Sequence, residues 1–306
     1  MTILLHPWSR AEQWRVAFEM ELPTMPIQVW PDVHDPEAVR YAVLGLHDAD
    51  DLRRYPNLQA ILAVSAGIEH FRSPDFPDVP VVRLIDDFMS NEMAAYALHW
   101  VIQFQKHFDG YREQQARSAW EPIDYTPANE YRVGILGFGT IGRRIGETFT
   151  ALDYAVNGWS RSPHEIEGVS HYAGAESLES FLAASNAVVN VLPSTGDTRQ
   201  LMNADRFAQM PRGAVYISIG RGTTTDSDAL LNALDTRHLH AAVLDVTRPE
   251  PLPVDSPLWL HPRAHITPHV AGFTLVKSAS RLIADNIRRM EAGEAAFPLY
   301  DRSRGY

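Results

Sequence analysis

Arg221, Glu250 and His269 follow one another downstream of the glycine pattern Gly137-Phe138-Gly139-Thr140-Ile141-Gly142. A guanidinium can clamp a carboxylate through two parallel N–H bonds while it polarises an adjacent carbonyl. An imidazole can hold a proton near neutral pH and give it to a forming alkoxide. A carboxylate bonded to the far ring nitrogen fixes the tautomer of that imidazole. Together the three suit the delivery of a hydride and a proton to a small 2-keto acid. Arg221, Glu250 and His269 are therefore the candidate catalytic residues, with Arg221 also the candidate substrate cation. Asp245 competes with Glu250 as the histidine's partner; its place at a strand end also suits a structural or cofactor-side role.

The glycine pattern stands where a dinucleotide would need it. Val133-Gly134-Ile135-Leu136 reads as a strand and Arg143-Arg144-Ile145-Gly146 continues a helix. Gly137 is expected to allow the turn, Gly139 to let a pyrophosphate reach the backbone, and Gly142 to let helix and strand pack closely. The helix start at Thr140 and Ile141 would turn unpaired N–H groups and the positive dipole end to the phosphates. An acidic residue usually follows at the end of the second strand, where it accepts from the ribose 2′-OH. Here that stretch is Asn157-Gly158-Trp159-Ser160-Arg161-Ser162, which has no carboxylate. Ser160 takes the acid's place and Arg161 can pair with a 2′-phosphate, so NADP(H) is expected over NAD(H).

These residues need a scaffold that brings strand ends together. Short β-like runs recur at Ile3–Leu5, Ile27–Trp30, Tyr41–Leu44, Ala60–Val64 and Val81–Leu84, with helical or turn material between. That alternation predicts a parallel sheet with crossover helices. Residues 91–108 carry Ala94, Ala97, Leu98, Val101, Phe104 and Phe108 at helical spacing, which predicts one long helix capped by Ser90 or Asn91 and ending near Gly110. A polar segment to about Asn129 reads as an excursion. Six further strands are expected at 132–136, 155–159, 187–192, 214–219, 241–245 and 265–267. Helices are expected at 141–152, 178–184, 204–210 and 226–235. Six strands in that length match a doubly wound dinucleotide-binding domain. An amphipathic helix over Leu275–Met290, stopped by Gly293, has no strand to feed and is expected to return to the first domain. The predicted division is thus 1–90 plus 271–306 for one domain and 91–270 for the other.

Composition narrows the classes. The formal net charge is −11, which opposes nucleic acid and anionic membranes as main partners. Cysteine is absent, which excludes disulfides, thiolate nucleophiles and Cys-ligated zinc, and fits a reducing cytoplasm. The thirteen histidines form no His-Glu-x-x-His, so no metal is expected. No apolar stretch approaches the ~20 residues that span a bilayer, and the start does not read as a signal peptide.

The sequence resembles the D-2-hydroxyacid dehydrogenase family over nearly its whole length. The resemblance rests on Gly137-Phe-Gly-Thr-Ile-Gly142, Gly220-Arg-Gly222, Leu244-Asp-Val246 with Glu250-Pro-Leu-Pro253, and Thr267-Pro-His-Val-Ala271. Trp159-Ser-Arg161, Ser256-Pro-Leu-Trp259 and Arg304-Gly-Tyr306 are similar to the bacterial A-type glyoxylate/hydroxypyruvate reductases within it. The resemblance implies two doubly wound parallel-sheet α/β domains, a flavodoxin-like substrate domain built from both chain ends and a Rossmann nucleotide domain, with a cleft between them. It implies a homodimer joined through the nucleotide domains, with the long helix and the region of Trp120 at the interface. By matched position it makes Arg221 the substrate cation, Glu250 the histidine partner and His269 the general acid. It also matches Ser65-Ala66-Gly67-Ile68 to the loop whose amides, at Ala66 and Gly67, help hold the substrate carboxylate. Four positions depart from the pattern: Ser218 stands for the family's frequent Asn, Gly220 for its frequent Ala, and Gly45-Leu46 for the Trp-His pair of the A-type reductases. The implied reaction is NADPH-dependent reduction of glyoxylate or hydroxypyruvate. A bulkier 2-keto acid, and a nucleotide-sensing binding protein on the same fold, are the alternatives.

Overall fold

The computed structural model describes residues 1–7, 9–45, 52–73, 76–163 and 166–301. Leu46 and the Arg304-Gly305-Tyr306 end, both used in the resemblance, lie outside the described residues. The chain divides into two compact units, Met1–Met89 with Thr274–Tyr306, and Ser90–Phe273.

The first unit holds a parallel sheet of β1 (Thr2–His6), β2 (Ile27–Val29), β3 (Val39–Leu44), β4 (Ala60–Ala63) and β5 (Val81–Val82), in the order β2-β1-β3-β4-β5. Its strands are apolar on both faces, as a sheet covered on both sides requires. Ile3, Leu5, Tyr41 and Val43 point to one core, with Trp14 and Phe18 of α1 (Ala11–Glu21). Leu4, Ala42, Leu44 and Ile61 point to the other, with Phe71 and Tyr300. The first core is closed by Ala279, Ile283, Ala284 and Ile287, from the helix over Val276–Glu291. The helix expected to return to the first sheet therefore packs on it. After Gly293, at φ 75°, the chain adds an antiparallel bridge, Val82 to Leu299, along β5. Gly45 is buried and its N–H donates to the His6 carbonyl (3.1 Å).

Two sequence expectations need correction at the start of the second unit. Helix α2 spans Asp87–Gln105, so Ser90 and Asn91 lie inside it and not at its N-terminal cap. The start is held instead by Asp86, whose Oδ1 accepts from Phe88 N (3.0 Å). The apolar spacing becomes regular only a turn later, which hid the true beginning. The helix also stops short of Gly110. His107, at φ 54°, breaks it, and a separate α3 (Phe108–Ala116) contains Gly110.

The second unit is a seven-stranded parallel sheet: β6 (Arg132–Leu136), β7 (Ala155–Ser160), β8 (Val169–Ala173), β9 (Ala187–Asn190), β10 (Ala214–Ser218), β11 (Leu239–Leu244) and β12 (Ala264–Ile266). Their order is β12-β11-β10-β9-β6-β7-β8. The crossover helices include α4 (Thr140–Thr150), α5 (Leu178–Ala183), α6 (Ala204–Gln209) and α7 (Ser227–Asp235); the returning helix of the first unit is α8. Sequence reading found six of these strands. It missed the edge strand β8, Val-Ser-His-Tyr-Ala, because an edge strand with no fully buried residue carries little apolar signal. The strand order reverses between β6 and β9, the topological switch point at which such sheets bind ligands. Among the described residues no helix is long and apolar enough to cross a membrane.

Candidate active site

The glycine turn lies at the carboxyl end of β6, on the switch point. Gly137 has φ 109°, a conformation that a side chain would strain. Its N–H and that of Phe138 both donate to the Trp159 carbonyl (3.0 and 2.8 Å), which ties the turn to the end of β7. At Gly142 a Cβ would stand 2.2 Å from the Gly137 carbonyl oxygen, so only glycine lets the helix close on the turn. Gly139, the N-cap of α4, differs: a Cβ there would meet nothing within 4 Å. Space is left open beside the helix start, where the first amides, at Thr140 and Ile141, have no partner within the helix. An open backbone face at the positive end of an 11-residue helix fits a pyrophosphate.

The end of β7 carries Ser160, with exposed Arg161 next to it. Ser160 Oγ donates to the Ser162 carbonyl (2.7 Å) and meets His171 Nε2 (2.9 Å). Sequence reading singled out Ser160 and Arg161 but missed His171, which lies on the unrecognised β8.

Arg221, Glu250 and His269 leave the ends of three adjacent strands. Ser218 of β10 pairs in register with Leu244 of β11, and Leu244 with Ile266 of β12. Arg221 follows directly in a turn whose carbonyl accepts from Thr224 N (3.1 Å) and Thr224 Oγ1 (2.7 Å). Thr224 is fully buried and receives Asn190 Nδ2 (2.8 Å), which also reaches Tyr216 Oη (2.7 Å). Tyr216 Oη in turn meets Thr225 Oγ1 (2.6 Å). Buried polar groups must be paired, and this set pairs its members while it fixes the arginine turn. Burial, the largest influence on Tyr216, holds its hydroxyl above the usual phenol range. Only Asn190, a polar residue inside the apolar run Ala187–Leu192, hinted at the network in the sequence.

The glycines beside Arg221 are points of close backbone packing. A Cβ at Gly220 would lie 2.6 Å from the Leu192 carbonyl oxygen, and one at Gly222 would lie 2.1 Å from that of Thr247. Both allow backbone to pack on backbone. The contact at Gly222 also links the parts of the site. Thr247 N donates to Glu250 Oε1 (3.0 Å), and Glu250 Oε2 lies 2.9 Å from His269 Nδ1. One continuous set of contacts thus runs from the Arg221 turn through Thr247 and Glu250 to His269. With Nδ1 on the carboxylate, Nε2 is the nitrogen on the far side of the ring, and His269 and Glu250 are both partly open to solvent (46% and 40%).

Asp245 is bonded to the backbone of the His269 loop. It is 2% exposed, and its carboxylate accepts from Thr267 Oγ1 (2.6 Å), Val270 N (2.8 Å) and Ala271 N (2.9 Å). Its own carbonyl accepts from His269 N (2.9 Å). The carboxylate thereby anchors the loop that carries His269, where the backbone reaches φ 56°. Tyr96 Oη adds a bond to Thr267 Oγ1 (2.6 Å). In the first unit, the turn after β4 is held by Ser65 Oγ donating to the Gly67 carbonyl (2.9 Å), with Ala66 and Gly67 half-buried. Among the described residues no group of three His, Cys, Asp or Glu could hold a metal ion.

A doubly wound sheet with an open glycine turn at its switch point, and an imidazole–carboxylate pair beside an arginine turn, defines a nucleotide-dependent oxidoreductase. The family described as D-isomer specific 2-hydroxyacid dehydrogenase, NAD binding domain, matches residues 98–271, and the chain belongs to that family. It is 36% identical over 311 residues to glyoxylate/hydroxypyruvate reductase A of Serratia proteamaculans (strain 568), covering 99% of each chain. Its fold superimposes with a TM-score of 0.94 on a D-isomer specific 2-hydroxyacid dehydrogenase from Xanthobacter autotrophicus Py2 in complex with NADPH and MES. That chain is 38% identical, with both chains covered fully. The NADPH-dependent glyoxylate/hydroxypyruvate reductase of Sinorhizobium meliloti, in complex with NADP and sulfate, gives a TM-score of 0.93 at 29% identity, again over the whole of both chains.

Proposed function

We propose that this protein reduces a small 2-keto acid with NADPH, glyoxylate to glycolate or hydroxypyruvate to D-glycerate. The observation that carries the reading is the His269 Nδ1–Glu250 Oε2 pair at 2.9 Å, mounted beside the Arg221 turn. Arg221 binds the substrate carboxylate and polarises the keto oxygen. The amides of Ala66 and Gly67 are assigned to the substrate carboxylate as well, with residues 1–90 and 271–306 as the substrate domain and 91–270 as the nucleotide domain. When bound, the reduced nicotinamide supplies a hydride to C2. His269 gives its Nε2 proton to the oxygen as charge develops there, and Glu250 stabilises the imidazolium and holds the ring in place.

Ser160 and Arg161 favour the 2′-phosphate of NADP(H), since no carboxylate at the end of β7 repels it. Gly137, Gly139, Thr140, Ile141 and Gly142 hold the pyrophosphate. The relatives from Xanthobacter and Sinorhizobium, crystallised with NADPH and NADP, support this choice. We place the protein in the cytoplasm, as the lack of cysteine suits, and as a homodimer whose contact includes Trp120, which is 96% exposed. Steady-state assays of glyoxylate, hydroxypyruvate and bulkier aliphatic and aromatic 2-keto acids, each with NADPH and NADH, test the reading. Glyoxylate or hydroxypyruvate with NADPH should give the highest kcat/KM. A preference for a bulky keto acid or for NADH would overturn the corresponding half, and no turnover on any keto acid would favour a nucleotide sensor.

A further inference from the structure

We propose that His171 is a positioning residue for coenzyme selection, holding Ser160 and the turn that presents Arg161 to a ribose 2′-phosphate. The inference rests on the NADPH reading above. His171 lies in β8, paired with Gly158 of β7. A side chain is missing at Gly158 because the Phe138 ring occupies the place: a Cβ there would stand 2.7 Å from it. The His171 imidazole lies beside the same ring, with centroids 6.1 Å apart, and its Nε2 is 2.9 Å from Ser160 Oγ. One half-buried side chain therefore adjoins both Phe138, in the pyrophosphate turn, and Ser160, at the ribose end.

The direction of the histidine bond follows from counting protons. Ser160 has one hydroxyl hydrogen and donates it to the Ser162 carbonyl, which can only accept. His171 must then donate from Nε2 into the serine oxygen. The turn Ser160-Arg161-Ser162 is thus fixed by a donor on one side and an acceptor on the other. A 2′-phosphate carries only acceptor oxygens and close to two negative charges. It can draw the Ser160 hydrogen to itself, while the His171 N–H continues to satisfy the serine oxygen. A ribose 2′-OH, which donates or accepts equally well, gains little from this arrangement. Loss of His171 should therefore weaken NADP(H) selectively.

Isothermal titration of the full chain with NADP+ and with NAD+ tests this in wild type, His171→Ala and His171→Gln; the glutamine amide keeps a donor near Nε2. His171→Ala should weaken NADP+ about tenfold, the scale of one hydrogen bond in a charged network, with NAD+ changed less than about twofold. His171→Gln should recover NADP+ affinity to within about threefold of wild type. KM for NADPH should rise in parallel while kcat holds. Equal weakening of both coenzymes would mean that His171 only packs against Phe138, and unchanged NADP+ affinity would mean that it does nothing at this site; either result overturns the inference while leaving the NADPH reading intact. If wild type itself binds NAD+ more tightly than NADP+, that reading fails and the inference with it.

Discussion

The two halves of the seven-stranded sheet use the same residue types in opposite ways. On the β6–β7–β8 side, the cap glycine Gly139 faces open space, Arg161 is exposed, and Ser160 and His171 are half-buried. On the β9–β10–β11–β12 side, Gly220 and Gly222 are pressed against backbone, and Asn190, Thr224 and Asp245 are buried with their polar atoms paired. The first half is built to receive a ligand that arrives with its own charges. The second is built to hold a few side chains in place before any ligand arrives, the preorganisation that charge-stabilising sites require. A glycine-rich turn is therefore not by itself a sign of a ligand; what a side chain would meet there is the deciding fact.

The largest expected effect lies in the preorganised half. His269→Ala should lower kcat about a thousandfold, within the range for a lost general acid, while coenzyme affinity stays within about twofold. A variant that keeps near-wild-type kcat would remove His269 from the chemistry and leave the half merely rigid. Gly222→Ala comes next. Its Cβ would stand 2.1 Å from the Thr247 carbonyl oxygen, against backbone that cannot step aside. Stability should fall by about 3 kcal/mol in urea unfolding, the upper part of the overpacking range. An unchanged unfolding midpoint would mean that the Arg221 turn and the Thr247 loop are not locked together.

The same division explains what the sequence revealed. The repeating strands and the glycine turn were legible because periodicity and Gly spacing are local. The set Arg221, Glu250 and His269 was legible because each leaves a strand end, and parallel strands put such ends side by side. The support was not. Asp245 and Glu250 look alike in one dimension, and only three-dimensional placement gives one the loop amides and the other the imidazole. Nor does the sequence show that the backbone of Leu192 and Thr247 packs against Gly220 and Gly222. His171 was missed for a different reason: β8 lacks the apolar alternation that marks a buried strand, so its polar residues looked like loop.

Gly139→Ala sharpens the comparison from the other side. Gly139 sits at φ −85°, which alanine adopts without strain, and a Cβ there meets nothing. Stability should stay within about 0.5 kcal/mol of wild type. Coenzyme affinity should nevertheless drop about tenfold, since the methyl group stands where the pyrophosphate must approach. A stable variant with unchanged affinity for both coenzymes would show that the open side of the turn is not where the phosphates bind.

The smallest effect tests whether rigidity extends to the edge of the second half. His265, on β12, lies against Trp100 and Phe104 of α2, with ring centroids 5.0 and 5.4 Å away. Burial lowers its pKa below the ordinary 6.5; Asp109 opposes this, while Arg112 and His240 add to it. Asp109 is itself bonded to His240 Nε2 (2.7 Å). Because the folded pKa is depressed, native and unfolded chains both carry a neutral ring well above pH 6.5, and no stability is lost there. As pH falls through 6.5, the unfolded chain takes up a proton that the native chain resists, so stability declines until the folded pKa is passed and then levels off. The decline should stay below about 1 kcal/mol, because the partly exposed ring is screened by solvent. Urea unfolding of wild type and His265→Gln between pH 8 and about pH 5 isolates it, since the carboxylates that titrate below are common to both. The glutamine variant should lose less stability over that interval. Parallel curves would mean that β12 yields enough to admit a charged ring, and that the packed half of the sheet ends at β11.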